Sequence, residues 1–326
     1  MSLLQSVPIK NEYNISELID LKKEVNNLPV GVNISTMCAT AKIKKHNSSY
    51  IEKKNIDLGI ELNIDNIEHY LVLNSNDIIT VKRNSNSIRT LLTQKKKTKR
   101  AKKIVIETKT INYFYNQITV VIRINEGPTD DINNEPRINL KLFRNGSIQM
   151  SGCKLVKNIN IVLNKLLFRL CETKAIIIDG IISELKFIDN TNVTISNFKI
   201  DMINSNYQVN MKVDREKLYT LLKKKNIKCS YEPCIRACVV VKYMPPNYNV
   251  EEKQVSIYIF QKGNIIITGA RDREHIISAY NYINQILVVH SDEIDNNDKD
   301  KEEMMIFKLY DDIMKEIDCG LLKIED

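Results

Sequence analysis

Twice along the chain a strand of alternating character ends at a phenylalanine followed by a glycine turn, at Phe143 and again at Phe260. A second alternating run then leads to another glycine. Leu142-Phe143-Arg144-Asn145-Gly146-Ser147-Ile148-Gln149-Met150-Ser151-Gly152-Cys153-Lys154 matches Ile259-Phe260-Gln261-Lys262-Gly263-Asn264-Ile265-Ile266-Ile267-Thr268-Gly269-Ala270-Arg271, with Phe, Gly and Gly all displaced by 117 residues. Three landmarks at one offset mark an internal repeat. The period then changes from two to that of a helix: Ile159, Leu163, Leu166 and Leu170 recur on one face, as do Ile276, Tyr280, Ile283 and Leu287.

Working upstream extends the repeat. Val120–Ile124 and Val239–Tyr243 read as strands 119 residues apart, which makes the following loop two residues shorter in the second copy. Before them stand a strand at Val193–Tyr207 and a basic helix at Asp214–Lys225, matched in the first copy by Ile34–Ile43 and a helix near Asn63–Leu73. Each copy is therefore strand, helix, three strands, helix. The expected organisation is an N-terminal extension over 1–28, repeat 1 over 29–175 with insertions at 44–60 and 74–110, a linker at 176–192, repeat 2 over 193–290 and a C-terminal tail over 291–326.

Charge changes the picture at the ends of the chain. The 326 residues carry a formal +8, but 291–326 hold 13 acidic and 5 basic residues, so the tail is at −8 and the rest at +16. A basic body with an acidic tail points to a polyanionic partner. Lys95–Lys103, inside the second insertion, is a low-complexity basic run that reads as a solvated loop adding non-specific DNA affinity. Met304–Leu322 has the spacing of a short amphipathic helix, which either recruits a partner or folds back as a DNA mimic.

Little supports other chemistry. Seven irregularly spaced cysteines without a secretory leader fit reduced thiols, and Cys229, Cys234 and Cys238 lack the paired spacing of a zinc site. No apolar run approaches the roughly 20 residues that span a bilayer. His46, His69, His275 and His290 stand far from any nucleophile or carboxylate motif, so neither an enzyme nor a metal, cofactor or small-molecule substrate is expected.

Over residues 30–290 the sequence resembles the TATA-box-binding protein family. The resemblance rests on Phe198-Lys199-Ile200, on Cys229-Ser230-Tyr231-Glu232-Pro233 and on Ile259–Ala270, which are similar to the family's F-K-I, S-Y-E-P and I-F-x-x-G-K-x-x-x-T-G-A signatures. It implies an α+β saddle of two pseudo-symmetric repeats, a curved antiparallel sheet with helices on its convex face. The concave face would bind AT-rich double-stranded DNA in the minor groove, with phenylalanines wedged between base steps. Alternation then assigns Lys141, Phe143, Gln149 and Ser151 of repeat 1, and Tyr258, Phe260, Ile266 and Thr268 of repeat 2, to the DNA-facing side. Arg123 and Lys242 match phosphate-holding rim positions, and Glu232-Pro233 matches the loop that docks a transcription factor B-like protein.

The departures from the family are equally specific. Counting back from Arg123 and Lys242 puts Gln117 and Arg236 where the family has its other phenylalanines, and the central asparagine positions fall on Val32 and Met202. A face that has lost apolar wedges leans on phosphate charge and groove width, so a stronger salt dependence, a shallower bend and a looser TATA preference are expected. The function implied is a general transcription initiation factor working with RNA polymerase. The alternative is a saddle used as an interaction or architectural module. The divergence and the Lys-, Asn- and Ile-rich composition suggest a large DNA virus as source, with an intracellular location in a nucleus, viral factory or virion.

Overall fold

The computed structural model describes residues 16–46, 59–84, 87–93, 115–129, 131–178, 181–246, 254–295, 309–310 and 314–315. The chain divides into two compact units, one of residues 1–26 and 36–202, the other of residues 27–35 and 203–326.

Unit 1 contains most of β1 (Asn33–Lys45), then α1 (Ile64–Tyr70), β2 (Ile78–Lys82), β3 (Ile88–Thr90), β4 (Gln117–Arg123), β5 (Arg137–Phe143), β6 (Ser147–Cys153), α2 (Val156–Leu170), β7 (Lys174–Ile178), β8 (Ile181–Leu185) and the first part of β9 (Val193–Gln208). The strands β1-β6-β5-β4-β2-β3 pair antiparallel in that order. Burial alternates strictly along β5, where Ile138, Leu140 and Leu142 are fully buried and Asn139 and Lys141 are exposed. The buried parity meets α2, whose Ile159, Leu163, Leu166 and Leu170 are all inside the core. Apolar burial of this kind contributes roughly 25 cal/mol per Å², enough to hold a helix of modest propensity in place.

Unit 2 contains the last part of β9, α3 (Arg215–Lys224), β10 (Cys229–Ser230), β11 (Cys238–Tyr243), β12 (Val255–Phe260), β13 (Asn264–Ala270), α4 (Arg273–Val289) and α5 (Ser291–Ile294). Its strand order is β10-β11-β12-β13-β9, again antiparallel. Each unit is thus α+β, an antiparallel sheet with helices against one face.

The two hairpins are built by the same device. Gly146 and Gly263 adopt φ of +78° and +77°, and each lets its carbonyl approach the preceding segment: Ile43 N donates to Gly146 O and Val209 N to Gly263 O, both at 2.9 Å. A side chain has no room there, since a Cβ on Gly263 would stand 2.3 Å from Val209 O.

Several expectations change. Ile78–Lys82 and Ile88–Thr90, within the second insertion, form β2 and β3 at the edge of the unit 1 sheet, and β7 and β8 form a separate two-stranded sheet in the segment read as linker. The lysine run and nearly all of the expected tail helix lie outside the described residues; Leu309–Tyr310 and Met314–Lys315 are helical. The tail does begin with α5, whose Ile294 is buried and accepts a 2.7 Å hydrogen bond from Asp214 N at the start of α3.

Candidate nucleic-acid interface

The sheet face opposite α2 and α4 is the open one among the described residues, most of its side chains being half-buried or exposed, and cross-strand register arranges them in rows. In unit 1 the central row is Thr119, Lys141, Gln149 and Thr40, running across β4, β5, β6 and β1. In unit 2 it is Val240, Tyr258, Ile266 and Asn206, across β11, β12, β13 and β9. The next row reads Val121, Asn139, Ser151 and Cys38 in the first unit and Lys242, Ser256, Thr268 and Asn204 in the second.

All eight residues assigned by alternation to the DNA side therefore stand on the open face. Phe143 and Phe260 hold equivalent places at the strand ends beside their turn glycines, and both rings are half-buried. Their cross-strand partners are Gln117 and Cys238.

That last pairing corrects the alignment of the preceding strand. Cys238 follows Gln117 by 121 residues while Phe260 follows Phe143 by 117, so the loop between these strands is four residues shorter in the second unit, not two. A valine-rich strand has no landmark that fixes its phase, and only the hydrogen-bonded ladder does. Arg236 consequently lies in the exposed loop before β11, its amide donating to Glu232 O at 2.8 Å, and is not the partner of Phe260.

Arg123 is also corrected. It is the counterpart of no rim lysine, because Lys242 opposite Ser256 corresponds to Val121 opposite Asn139. Its guanidinium is 2% exposed: Nη1 donates to Ser75 O at 3.1 Å and Gly127 O at 2.8 Å, and Nε lies 3.2 Å from Glu135 Oε2. A group so enclosed has its donors turned inward and does not reach an outside phosphate. Lys242 remains on the open face, its Nζ donating to Ser256 Oγ at 2.6 Å.

Sequence reading missed Asn139, Asp201, Asn204 and Asn206. Extending the parity test along β9 would have found the two asparagines, but that strand changes phase twice, at Asn197 with φ +53° and again between the buried Ile200 and Ile203. Asn204 now bonds Thr268 Oγ1 across the sheet, and Thr40 Oγ1 stands 3.4 Å from Asp201 Oδ1. Burial, aided by the Asp201 carboxylate, pushes the Cys38 thiol up, and burial does the same at Cys238 against the pull of Arg236 and Arg215. Both thiols on this face are therefore neutral near pH 7, adding no anion to repel a phosphate backbone.

Glu232 and Pro233 sit in an exposed turn, closed by Ile235 N donating to Glu232 O at 2.9 Å. Arg215 of α3 props it from beneath, donating to Ala237 O at 2.9 Å and lying 5.6 Å from the centre of the Tyr231 ring. Ile235 at its tip is 71% exposed. Among the described residues no three potential metal ligands gather, and no helix is long and apolar enough to cross a membrane.

The family model of transcription factor TFIID (or TATA-binding protein, TBP) matches residues 197–289, from the middle of β9 to the end of α4. The TATA-box-binding protein-like protein of Acanthamoeba polyphaga mimivirus is 35% identical over 247 residues, covering 71% of this chain and 62% of that protein, so the chain spans less than two thirds of that relative. Among solved structures, Methanococcus jannaschii TBP is similar at a TM-score of 0.44 and 14% identity, over 80% of this chain and 98% of that one. The second repeat is thus similar to the TATA-binding protein family by its family-model match, and most of the chain's length aligns with a viral TATA-box-binding protein-like relative.

Proposed function

We propose that the chain is a general transcription initiation factor that binds AT-rich promoter DNA in the minor groove, each unit's open face taking one half of the site. The observation that carries this reading is the duplicated placement of Phe143 and Phe260. Each is a half-buried aromatic at the end of a strand, beside a glycine turn and at the border of an open sheet face. A core phenylalanine has no need of that position, whereas a wedge between base steps does. The net +16 of residues 1–290 supplies the counterion-release term that any DNA-binding surface needs.

The exposed Glu232–Ile235 turn, held by Arg215 and Tyr231, is the docking point for a transcription factor B-like protein, through which RNA polymerase is recruited. An apolar tip flanked by a carboxylate and backed by an arginine–tyrosine pair has the composition of an interface hot spot.

The test is a binding titration with AT-rich and GC-rich duplexes at two salt concentrations. Phe260→Ala and Phe143→Ala are each expected to weaken AT-rich binding by about tenfold, the loss of one buried aromatic anchor. Unchanged affinity in both variants overturns the wedge role and favours the interaction module instead.

A further inference from the structure

The two open faces share a register and differ in what they offer a base edge. In unit 2 the central row presents Tyr258 and Ile266, both half-buried, with Val240 buried beside them and Asn206 exposed at the β9 end of the row. In unit 1 the same row presents Lys141 and Gln149, both exposed, between Thr119 and Thr40. Beside Thr40 lies Asp201, whose carboxylate only accepts hydrogen bonds.

A minor groove makes this difference legible. A·T and T·A pairs present there only the acceptors adenine N3 and thymine O2, while G·C adds one donor, the N2 amino group of guanine. An apolar row pressed against that amino group buries a donor with no partner, which is costly. A row with Gln149 supplies an acceptor for it, and the same amide, with the Lys141 ammonium, supplies donors for A·T edges. An acceptor-only carboxylate is satisfied by guanine and repelled by an A·T edge.

We infer that the demand for A·T pairs is confined to the half of the site under unit 2, and that the half under unit 1 accepts G·C pairs, with Gln149 and Asp201 receiving the guanine amino group. The inference rests on the DNA-binding reading above. It makes an asymmetric promoter element the preferred ligand, with the polarity of the complex set by base composition.

The experiment uses the full chain and four duplexes of one length: AT-rich in both halves, AT-rich in one half and G·C-rich in the other, G·C-rich in both, and the last with inosine replacing guanine. Inosine keeps the G·C pairing geometry and lacks only the amino group. The half-and-half duplex is expected to bind within about threefold of the fully AT-rich one, the fully G·C-rich one at least about tenfold more weakly, and inosine to restore most of that loss. Gln149→Ile should enlarge the ratio between the AT-rich and half-and-half duplexes by about tenfold, and Ile266→Gln should shrink the ratio between the half-and-half and fully G·C-rich ones. If the half-and-half duplex is as weak as the fully G·C-rich one, the division of labour is wrong and AT-rich recognition stands. If all four bind alike, minor-groove reading itself fails and takes the inference with it.

Discussion

Helices α2 and α4 occupy the same place in the repeat and meet opposite surroundings. Eleven of the fifteen residues of α2 are buried, among them Asn160, Asn164, Lys165 and Arg169, whereas α4 buries only Ile276, Ala279, Ile283 and Leu287 of its seventeen. The cause lies in added chain. The segment around Ser16–Glu24 lies along α2, where Asn160 Oδ1 accepts from Leu18 N at 2.9 Å and Asn164 Oδ1 from Ser16 N at 3.1 Å. The α1–β2 loop and the end of β4 close over Lys165, whose Nζ donates to the carbonyls of Asn76, Arg123 and Ile124 at 2.9 to 3.1 Å. Burial pushes the ammonium of Lys165 down from its ordinary value, against the pull of nearby Glu126 and Asp77. The outer face of α2 in the first unit is a second, polar core, while α4 in the second unit is a bare amphipathic helix within the stretch that the family model matches.

The contrast is broken most forcefully at Asp77, which is fully buried and binds Arg169 through 2.5 and 2.6 Å contacts. Asp77→Ala leaves a buried guanidinium short of a partner and should cost unit 1 about 3 kcal/mol in urea denaturation. Unit 2 should unfold at its original urea concentration.

The turn glycines come next. Gly263→Ala should cost about 2 kcal/mol or more, because its Cβ would meet Val209 O at 2.3 Å and Met211 O at 2.7 Å, and Gly146→Ala about 1 kcal/mol, its nearest atoms being at 3.0 and 3.1 Å. Equal melting shifts would show that the two hairpins are not held with the different tightness described here.

Capping gives a smaller and subtler test. α2 is capped at long range, Glu24 accepting from Val156 N at 3.0 Å and Lys157 N at 2.9 Å, while α4 is capped locally by Asp272, accepting from His275 N at 2.9 Å. Glu24→Ala and Asp272→Ala should each cost about 1 kcal/mol, read from thermal melts. Only the first should raise amide exchange in residues 16–24, since only there does the cap tether another segment.

The smallest effect is on pH. Burial alone would raise the Glu68 carboxyl, but hydrogen bonds from Ser87 and Arg83 and the charge of Arg83 outweigh it and hold the group below the ordinary 4.5. A depressed carboxyl contributes stability that is fully present above the ordinary glutamate value and is lost as pH falls from 4.5 through the folded-state value. Glu68→Gln should flatten the acid limb of the unit 1 stability profile, and an unchanged limb would remove Glu68 as its source.

Much of the repeat was legible because period and glycine carry it: β5, β6, β12 and β13 and the helices after them follow from alternation, two turn glycines and a change of period. What was not legible depended on partners rather than on local pattern. The phase of β4 against β11 is set by hydrogen bonding between strands, so two valine runs could be aligned two residues out. Arg123 reads as a surface charge until the loop carrying Glu135 and Gly127 folds over it. Asn160, Asn164 and Lys165 read as the solvent side of α2, and nothing in their own neighbourhood announces the segment that covers them. On the open face, the eight residues from β5, β6, β12 and β13 were found by parity, and those of β9 were hidden by two changes of phase along that strand.

The long reach of the N-terminal segment also bears on the order in which the molecule is made. Ser16 and Glu24 leave the ribosome early, yet their partners on α2 lie 132 to 148 residues further along. At the roughly 5 to 20 residues per second of synthesis, the segment waits on the order of ten seconds before the surface it must cover exists. Contacts of such sequence separation close late in folding as well. Once α2 is translated, the newborn first repeat has neither its long-range cap nor its cover until residues 16–24 swing back, and the Asn160–Asn164 side of the helix stays open to any chaperone or partner.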